Sequence, residues 1–327
     1  MAALLEVLGL TKIFPIGKGE NLVAVRDVSF ALARGETLGL VGESGSGKTT
    51  VGRCILRLLE STAGKVLLDG QDITRLPPAA MRELRPRMQL VFQDPFASLN
   101  PTFTVAQTVA EPLALHGVDR AARKVRVAEM LRRVDLDEHL FDYYPADLTA
   151  SEQQRVGIAR ALVTRPEFVV LDEPTSTLDP SARAEILSLL QAIQRETGTA
   201  YIFISHDLTS VARISHRIAV MYLGHIVEQA PTPLIMSRQR HPYSRALLSA
   251  VLFADPLKSP SVYVIEGEIP TAINPAPECP LYGRCPIRED ICRDGIPPLV
   301  AIEAEHYTAC RRWTQVDASA AMSAAIR

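Results

Sequence analysis

Apolar and polar residues alternate along the first 34 positions, in LLEVLGLTKIF and again in LVAVRDVSFAL. Side chains two apart share one face of a strand, so this pattern predicts two antiparallel strands. The Gly17–Glu20 segment supplies the turn between them. GETLGLV, ending at Val41, is a continuous apolar run that enters a glycine-rich loop. Thr49 to Leu59 then reads as a helix, with Val51, Ile55 and Leu58 on one face. The runs MQLVF (88–92), FVVLD (168–172), YIFIS (201–205) and RIAVMY (217–222) read as buried strands separated by helical segments. That alternation predicts an α/β fold with a parallel sheet. Between Gln93 and Arg165 the spacing turns helical, with Val125, Met130, Leu131 and Val134 among polar residues, so residues 93–165 form a predicted helical insert. After about Arg240 the pattern breaks. Many of the 23 prolines fall in the last stretch, and four of the five cysteines lie between 279 and 310. Residues 1–250 are thus predicted as the main domain and residues 251–327 as a separate, loop-rich extension. The final DASAAMSAAIR reads as a frayed end.

Composition narrows the function classes. The 327 residues are 47% hydrophobic and 22% charged, enough for a real core. A net charge of −2 lacks the footprint of a nucleic-acid binder. The densest basic stretch, Arg120 to Arg133, reads as the solvated face of a helix. No apolar run approaches the ~20 residues that span a bilayer. The N-terminus MAALLEVLGL has no basic segment and carries Glu6, unlike a secretory signal. These features predict a cytoplasmic location, where structural disulfides are rare.

The chemistry begins at Gly42-Glu43-Ser44-Gly45-Ser46-Gly47-Lys48-Thr49, which fits G-x-x-x-x-G-K-[ST] between a predicted strand and a predicted helix. Glycines let such a loop curl so that its N–H groups face phosphate oxygens. The helix N-terminus adds a positive dipole end. Lys48 is the predicted ligand of the β- and γ-phosphates, Thr49 a predicted ligand of Mg²⁺, and Thr50 a further predicted nucleotide-binding residue. The run FVVLD ends on Asp172-Glu173. An acid at the end of a buried strand is the expected Mg²⁺ partner, and Glu173 is the candidate to polarise an attacking water. Pro174, Ser176-Thr177-Leu178-Asp179 and Ser205-His206-Asp207 strengthen that reading.

With these motifs in order, residues 1–250 resemble the ABC (ATP-binding-cassette) ATPases. The resemblance implies a P-loop core with a parallel sheet, an antiparallel β subdomain and an α-helical insert. It implies that Gln93 contacts Mg²⁺ and senses the γ-phosphate, that Asp179 communicates across a dimer, that His206 contacts the γ-phosphate, and that Phe14 stacks on adenine. The segments QDPFASLNP (93–101) and HPYSRALL (241–248) resemble, more narrowly, the oligopeptide/dipeptide importer ATPases, and Ile269-Pro270 and Ile273-Asn274-Pro275 continue the match. In that group two ATPase subunits sit under two membrane permease subunits at the cytoplasmic face of the membrane, fed by an extracytoplasmic substrate-binding protein.

One motif departs from the family. LTASEQQR (148–155) stands where LSGGQ or LSGGE followed by QR is usual. Thr149 keeps a hydroxyl and Glu152 is an accepted variant, but Ala150 and Ser151 replace two glycines that, as the resemblance implies, approach the partner subunit's nucleotide. A hydrogen bond to a charged group is worth ~1.5–3 kcal/mol, which is roughly ten- to hundredfold in rate. The weakened site would be the partner's. The sequence therefore predicts a heterodimer with unequal sites, the partner bearing a complete signature. Alternatives are a soluble ABC ATPase or a mainly regulatory nucleotide-binding subunit.

Cys279, Cys285, Cys292 and Cys310 give C-x5-C-x6-C-x17-C. Four cysteines in a proline-rich cytoplasmic segment point to thiolate ligation, of a [4Fe–4S] cluster or of Zn²⁺, with unligated cysteines as the third alternative. The extension resembles those of importer ATPases that carry such a cluster. Cys54, in the helix after the phosphate loop, reads as a small hydrophobe.

Overall fold

A computed structural model describes residues 3–249 and 263–316. The predicted domain boundary at 250/251 and the DASAAMSAAIR end lie outside the described residues. In chain order the strands are β1 (Leu5–Gly17), β2 (Glu20–Leu32), β3 (Thr37–Val41), β4 (Ala63–Leu68), β5 (Gln71–Asp72), β6 (Met88–Val91), β7 (Phe168–Asp172), β8 (Ala200–Ser205), β9 (Arg217–Tyr222), β10 (His225–Pro231), β11 (Val300–Glu303) and β12 (His306–Thr308). The helices are α1 (Lys48–Ile55), α2 (Pro78–Leu84), α3 (Pro95–Ser98), α4 (Val105–Leu115), α5 (Arg120–Arg133), α6 (Ala150–Leu162), α7 (Pro180–Thr197), α8 (Leu208–Ile214), α9 (Thr232–Ser237) and α10 (Pro242–Ser249).

The chain groups into two compact units. One comprises Met1–Glu6, Ala31–Thr37 and Leu67–Ser205. The other comprises Val7–Phe30, Leu38–Val66 and His206–Arg327. In the first unit β6, β7 and β8 run parallel, with Met88 opposite Phe168 and Val170 opposite Ile202. Every residue of β7 and β8 is buried, which is why their sequences are unbroken apolar runs rather than alternating ones. Helices α3 to α7 each start on a side-chain cap. Thr104 and Thr149 form capping boxes with Gln107 and Glu152, and Asp119 caps α5. Helices α4, α5 and α6 pack on one another, as the helical spacing predicts. The face of α5 differs from expectation: Val125 is 58% exposed, and Val127 is buried beside Met130 and Leu131. The helix frame is set by its Asp119 cap, and Val127 shares a face with Met130 and Leu131 at spacings of three and four.

The second unit holds β1, β2 and β4, with β1 between the other two, and the predicted Gly17–Glu20 turn joins β1 to β2. Its second sheet runs β11-β12-β10-β9-β3, with β9 parallel to β3 and the remaining pairs antiparallel. Two expectations are corrected here. Helix α1 stops at Ile55 instead of continuing to Leu59. Arg57 adopts φ +49, the left-handed residue that ends many helices, and Leu58 turns outward, 53% exposed. The extension is also more than loops. Its strands β11 and β12 join the sheet beside β10, with Thr308 opposite Glu228. That join is built on polar residues sealed from water. Glu228 and His306 have no exposed surface, and the Glu228 carboxylate accepts hydrogen bonds from Arg240 N (2.6 Å) and His241 N (3.0 Å) while lying 2.8 Å from His306 Nε2.

Candidate nucleotide site

In the second unit, the buried strand β3 delivers the chain to Gly42, and α1 leaves at Lys48. Two glycines are required here. A Cβ on Gly42 would lie 2.2 Å from Met221 O, and one on Gly47, at φ +102, would lie 2.3 Å from Ala24 O. Gly45, at φ +79, and Ser44 are exposed at the loop's rim, whereas Ser46 is buried. Lys48 is 5% exposed, and its Nζ donates to Gly42 O (2.7 Å), Glu43 O (2.8 Å) and Ser46 Oγ (3.3 Å). The ammonium thus rests on its own loop, with the cradle already curled around a positive charge. Thr49 and Thr50 follow in the first turn of α1, half-buried.

The loop is tied from outside by contacts that local sequence patterns do not announce. Gly224 N donates to Ser46 O (3.0 Å), and Glu43 N donates to the hydroxyl of Tyr243 (2.9 Å) in α10. The Tyr243 ring is 2% exposed and packs against Tyr222 at 4.5 Å between centroids. Burial pushes its phenol above the ordinary range, so the hydroxyl stays protonated. In the same unit Phe14 lies half-buried in β1 with the Lys12 ammonium 4.8 Å over its ring, outside the packed core. His206 is exposed ahead of α8, whose first turn is capped by Asp207 (Thr209 N to Oδ1, 3.0 Å).

The first unit carries the carboxylates. Asp172 ends β7 and is 5% exposed. Glu173 sits at φ +47, a region that a non-glycine residue seldom occupies. It is held there because its N donates to Ile204 O (2.9 Å) and its carbonyl accepts from Ser176 N and Ser176 Oγ (3.2 and 3.1 Å). Such over-determined strain is a mark of functional positions. Gln93 Nε2 donates to Glu173 Oε2 (3.1 Å), so two of the predicted site residues meet directly. Asp179 caps α7, accepting from Ser181 N and Ala182 N (2.9 and 3.0 Å). The altered signature folds without strain. Thr149 is the cap of α6, its N donates to Glu152 Oε2 (2.8 Å), and its hydroxyl donates to the same carboxylate (2.7 Å). Ala150 and Ser151 are the first two helical residues. A Cβ is tolerated there, and their amides belong to the helix N-terminus.

The matched sequence decides the family. A relative from Sinorhizobium fredii, the probable peptide ABC transporter ATP-binding protein y4tS, is 44% identical over 94% of this chain and 89% of its own length. The chain belongs to the ABC transporter ATP-binding proteins. The family model "ABC transporter" matches residues 25–176, and "Oligopeptide/dipeptide transporter, C-terminal region" matches residues 227–292. The oligopeptide transport ATP-binding protein AppF of Bacillus subtilis is 41% identical over 95% of this chain and 98% of its own. Among solved structures, the dimeric cassette MJ0796 bound to ADP and phosphate aligns with TM-score 0.65 and 28% identity, covering 70% of this chain and 98% of that one. The cbiO1 subunit of a Clostridium perfringens cbiONQ transporter aligns with TM-score 0.66 and 28% identity, covering 73% and 92%. This ABC protein is an ATPase of the P-loop α/β class. Among its described residues no helix is long and apolar enough to cross a membrane.

The four extension cysteines line one cavity of about 10 Å³, together with His241 and Arg311. Burial raises all four thiols, Cys285 to about 11 and Cys310 to about 12. Among the described residues no three His, Cys, Asp or Glu side chains converge closely enough to hold a metal ion. As they stand, the four sulfurs are protonated thiols and their geometry is not closed around an ion. Cys54 is buried in α1 as expected, its thiol pushed up to about 11 by burial.

Proposed function

We propose that this subunit binds and hydrolyses ATP to power import of peptides through a membrane permease, working at the cytoplasmic face. The observation that carries the reading is the Glu43–Tyr243 tie, because it fastens the phosphate loop to the segment shared with peptide-transport relatives. The partners are a second ABC ATPase with a complete signature, two transmembrane permease subunits and an extracytoplasmic substrate-binding protein. Residues 1–250 act as the nucleotide-binding domain and residues 251–327 as its extension.

Each residue has a separate task. Lys48 exchanges its loop carbonyls for phosphate oxygens, and the loop amides of Gly42, Ser44, Gly45, Ser46 and Gly47 donate to those oxygens. Phe14 receives the adenine, and Thr50 completes the nucleotide-binding set. Thr49, Gln93 and Asp172 would hold Mg²⁺, a fit supported by hard oxygen donors and the buried Asp172 carboxylate. Mg²⁺ would neutralise charge on the transferred phosphoryl group. Glu173, aligned by Gln93, orients the attacking water, and His206 steadies the γ-phosphate. Asp179 caps α7 toward the partner. Thr149, Ala150, Ser151 and Glu152 serve the partner's nucleotide, whose turnover is slowed. In the reconstituted complex Glu173→Gln should abolish peptide uptake, and the matching change in the partner should do much less. Equal effects would refute the asymmetry. Failure of membrane permease subunits to copurify with this chain in mild detergent would refute the transport reading.

For Cys279, Cys285, Cys292 and Cys310 we propose ligation of a [4Fe–4S] cluster, with Zn²⁺ as the alternative. Support comes from the four thiols sharing one cavity. Anaerobic purification, absorbance near 400 nm and metal analysis test it, and a sample with neither iron nor zinc would remove the proposal.

A further inference from the structure

Within the second unit, a cavity of about 270 Å³ opens between β2, the turn joining β9 to β10, and the extension. It is lined by Arg26, His225, Glu278 and a mostly apolar remainder that includes Val23, Pro275 and Ile296. The extension is stitched to β2 at this point, where Val23 N donates to Ala272 O (2.9 Å) and Asn21 N to Asn274 Oδ1 (3.0 Å). The cavity walls are therefore held by backbone pairing.

The cavity holds one cation and one carboxylate, Arg26 and Glu278, and they do not pair with each other. Among the described residues no carboxylate lies within ion-pair distance of Arg26, and its Nη1 is buried without a hydrogen-bond partner. Arg26 as a whole is half-buried, but a shielded guanidinium nitrogen without a partner is costly unless an acceptor reaches it. Glu278, also in the lining, does not play that part. Its nearest cation is Arg293, at 3.9 Å, and its side chain is one-third exposed. Burial, helped by the Arg26 charge, depresses the His225 imidazole to about 4, so the ring is neutral and offers one donor and one acceptor. An unpaired cation at Arg26, a Glu278 carboxylate already beside Arg293, one neutral imidazole and apolar walls leave a place at Arg26 for a single negative charge on an apolar body. The volume approaches the lower end of small-molecule pockets.

We propose that this cavity binds a small organic carboxylate with an apolar side chain, its carboxylate on Arg26 and its body against Val23, Pro275 and Ile296. The site is separate from the nucleotide residues but close to them along the backbone. Arg26 N donates to Gly224 O (2.9 Å), and Gly224 N donates to Ser46 O (3.0 Å) in the phosphate loop. The carboxylate could belong to a free acid or to an amino acid, and the probes separate the two.

The test is calorimetric titration of the full-length chain, as isolated, with 4-methylpentanoate, leucine and isopentylamine. Both carboxylates should bind and the amine should not. Tighter binding of leucine would assign the site to amino acids, and equal binding would assign it to plain carboxylates. Arg26→Gln should weaken both carboxylates by roughly tenfold or more, the loss of one charge-assisted hydrogen bond, with ATP binding retained. Ile296→Trp, which fills the cavity from the extension side, should block both. The proposal is overturned by carboxylate binding that survives both variants, by equal binding of the amine, or by no binding at millimolar concentration.

Discussion

Replacing Tyr243 by Phe takes one oxygen away from the scaffold of the phosphate loop. The ring stays, 2% exposed and packed on Tyr222, so almost no packing is lost. What disappears is the acceptor for Glu43 N. An amide left unpaired in a part-buried setting costs about 1–3 kcal/mol. That cost falls on the loop conformation that cradles phosphate, and only the competent fraction of the protein binds ligand at full strength. A penalty of about 1–2 kcal/mol therefore weakens ATP affinity roughly 5- to 30-fold. Equilibrium titration with MgATP measures it, and urea unfolding should show a loss of no more than about 1–3 kcal/mol. Tyr222→Phe is the control, because its hydroxyl accepts from Arg284 Nη1 (3.3 Å) and has no part in the Glu43 tie. Because burial raises the Tyr243 phenol, the difference between the variants should not change with pH across the neutral range. If Tyr243→Phe binds MgATP as tightly as the parent chain, the loop does not depend on α10.

Three further outcomes are expected. Gly47→Ala drives a Cβ to within 2.3 Å of Ala24 O at φ +102, so MgATP binding should be lost, whereas Gly157→Ala in α6, with open space around it, should raise the unfolding free energy by about 0.5–1 kcal/mol. Glu228→Ala leaves His306 and the amides of Arg240 and His241 without their buried acceptor, and should destabilise the chain by about 3–5 kcal/mol in urea unfolding, with the extension becoming protease-sensitive. In metal-free protein, thiols whose folded pKa lies above the ordinary 9.0 contribute stability that is complete below that value, and it should decline as pH rises through about 11 for Cys285 and about 12 for Cys310. A melting temperature that does not fall over that window would remove the burial argument.

What could be read from the sequence follows from where the physics is local. Strands β7, β8 and β9 were legible because burial on both faces requires unbroken apolar runs, and the phosphate loop because close backbone approach admits only glycine at 42 and 47. Gln93 and Glu173 were legible as chemistry, but their hydrogen bond across 80 positions, and the φ of +47 that aims Glu173, belong to tertiary structure. The α1 terminus escaped because Arg57, not a glycine, takes the left-handed position. Tyr243 escaped for a different reason: HPYSRALL carries no periodic signal that a hydroxyl will reach an amide 200 residues earlier. The extension strands were hidden by their own composition. VAIE and HYT are short and partly polar, and nothing local marks His306 as the neighbour of a sealed Glu228.

That buried carboxylate gives the extension its place. A loop-rich segment with little apolar mass cannot hold a position by hydrophobic burial alone. Here the specificity comes from one acceptor group satisfied by three donors drawn from β12 and the chain leading into α10, an arrangement that tolerates no shifted register, because a slip of one residue would turn His306 away from Glu228. The same register carries α10, and with it the Tyr243 hydroxyl, to the phosphate loop. The polar lock at Glu228 and the tie at Glu43 are therefore successive consequences of one geometry. A variant that loosens the lock should weaken nucleotide binding even though Glu228 does not belong to the nucleotide-site residues.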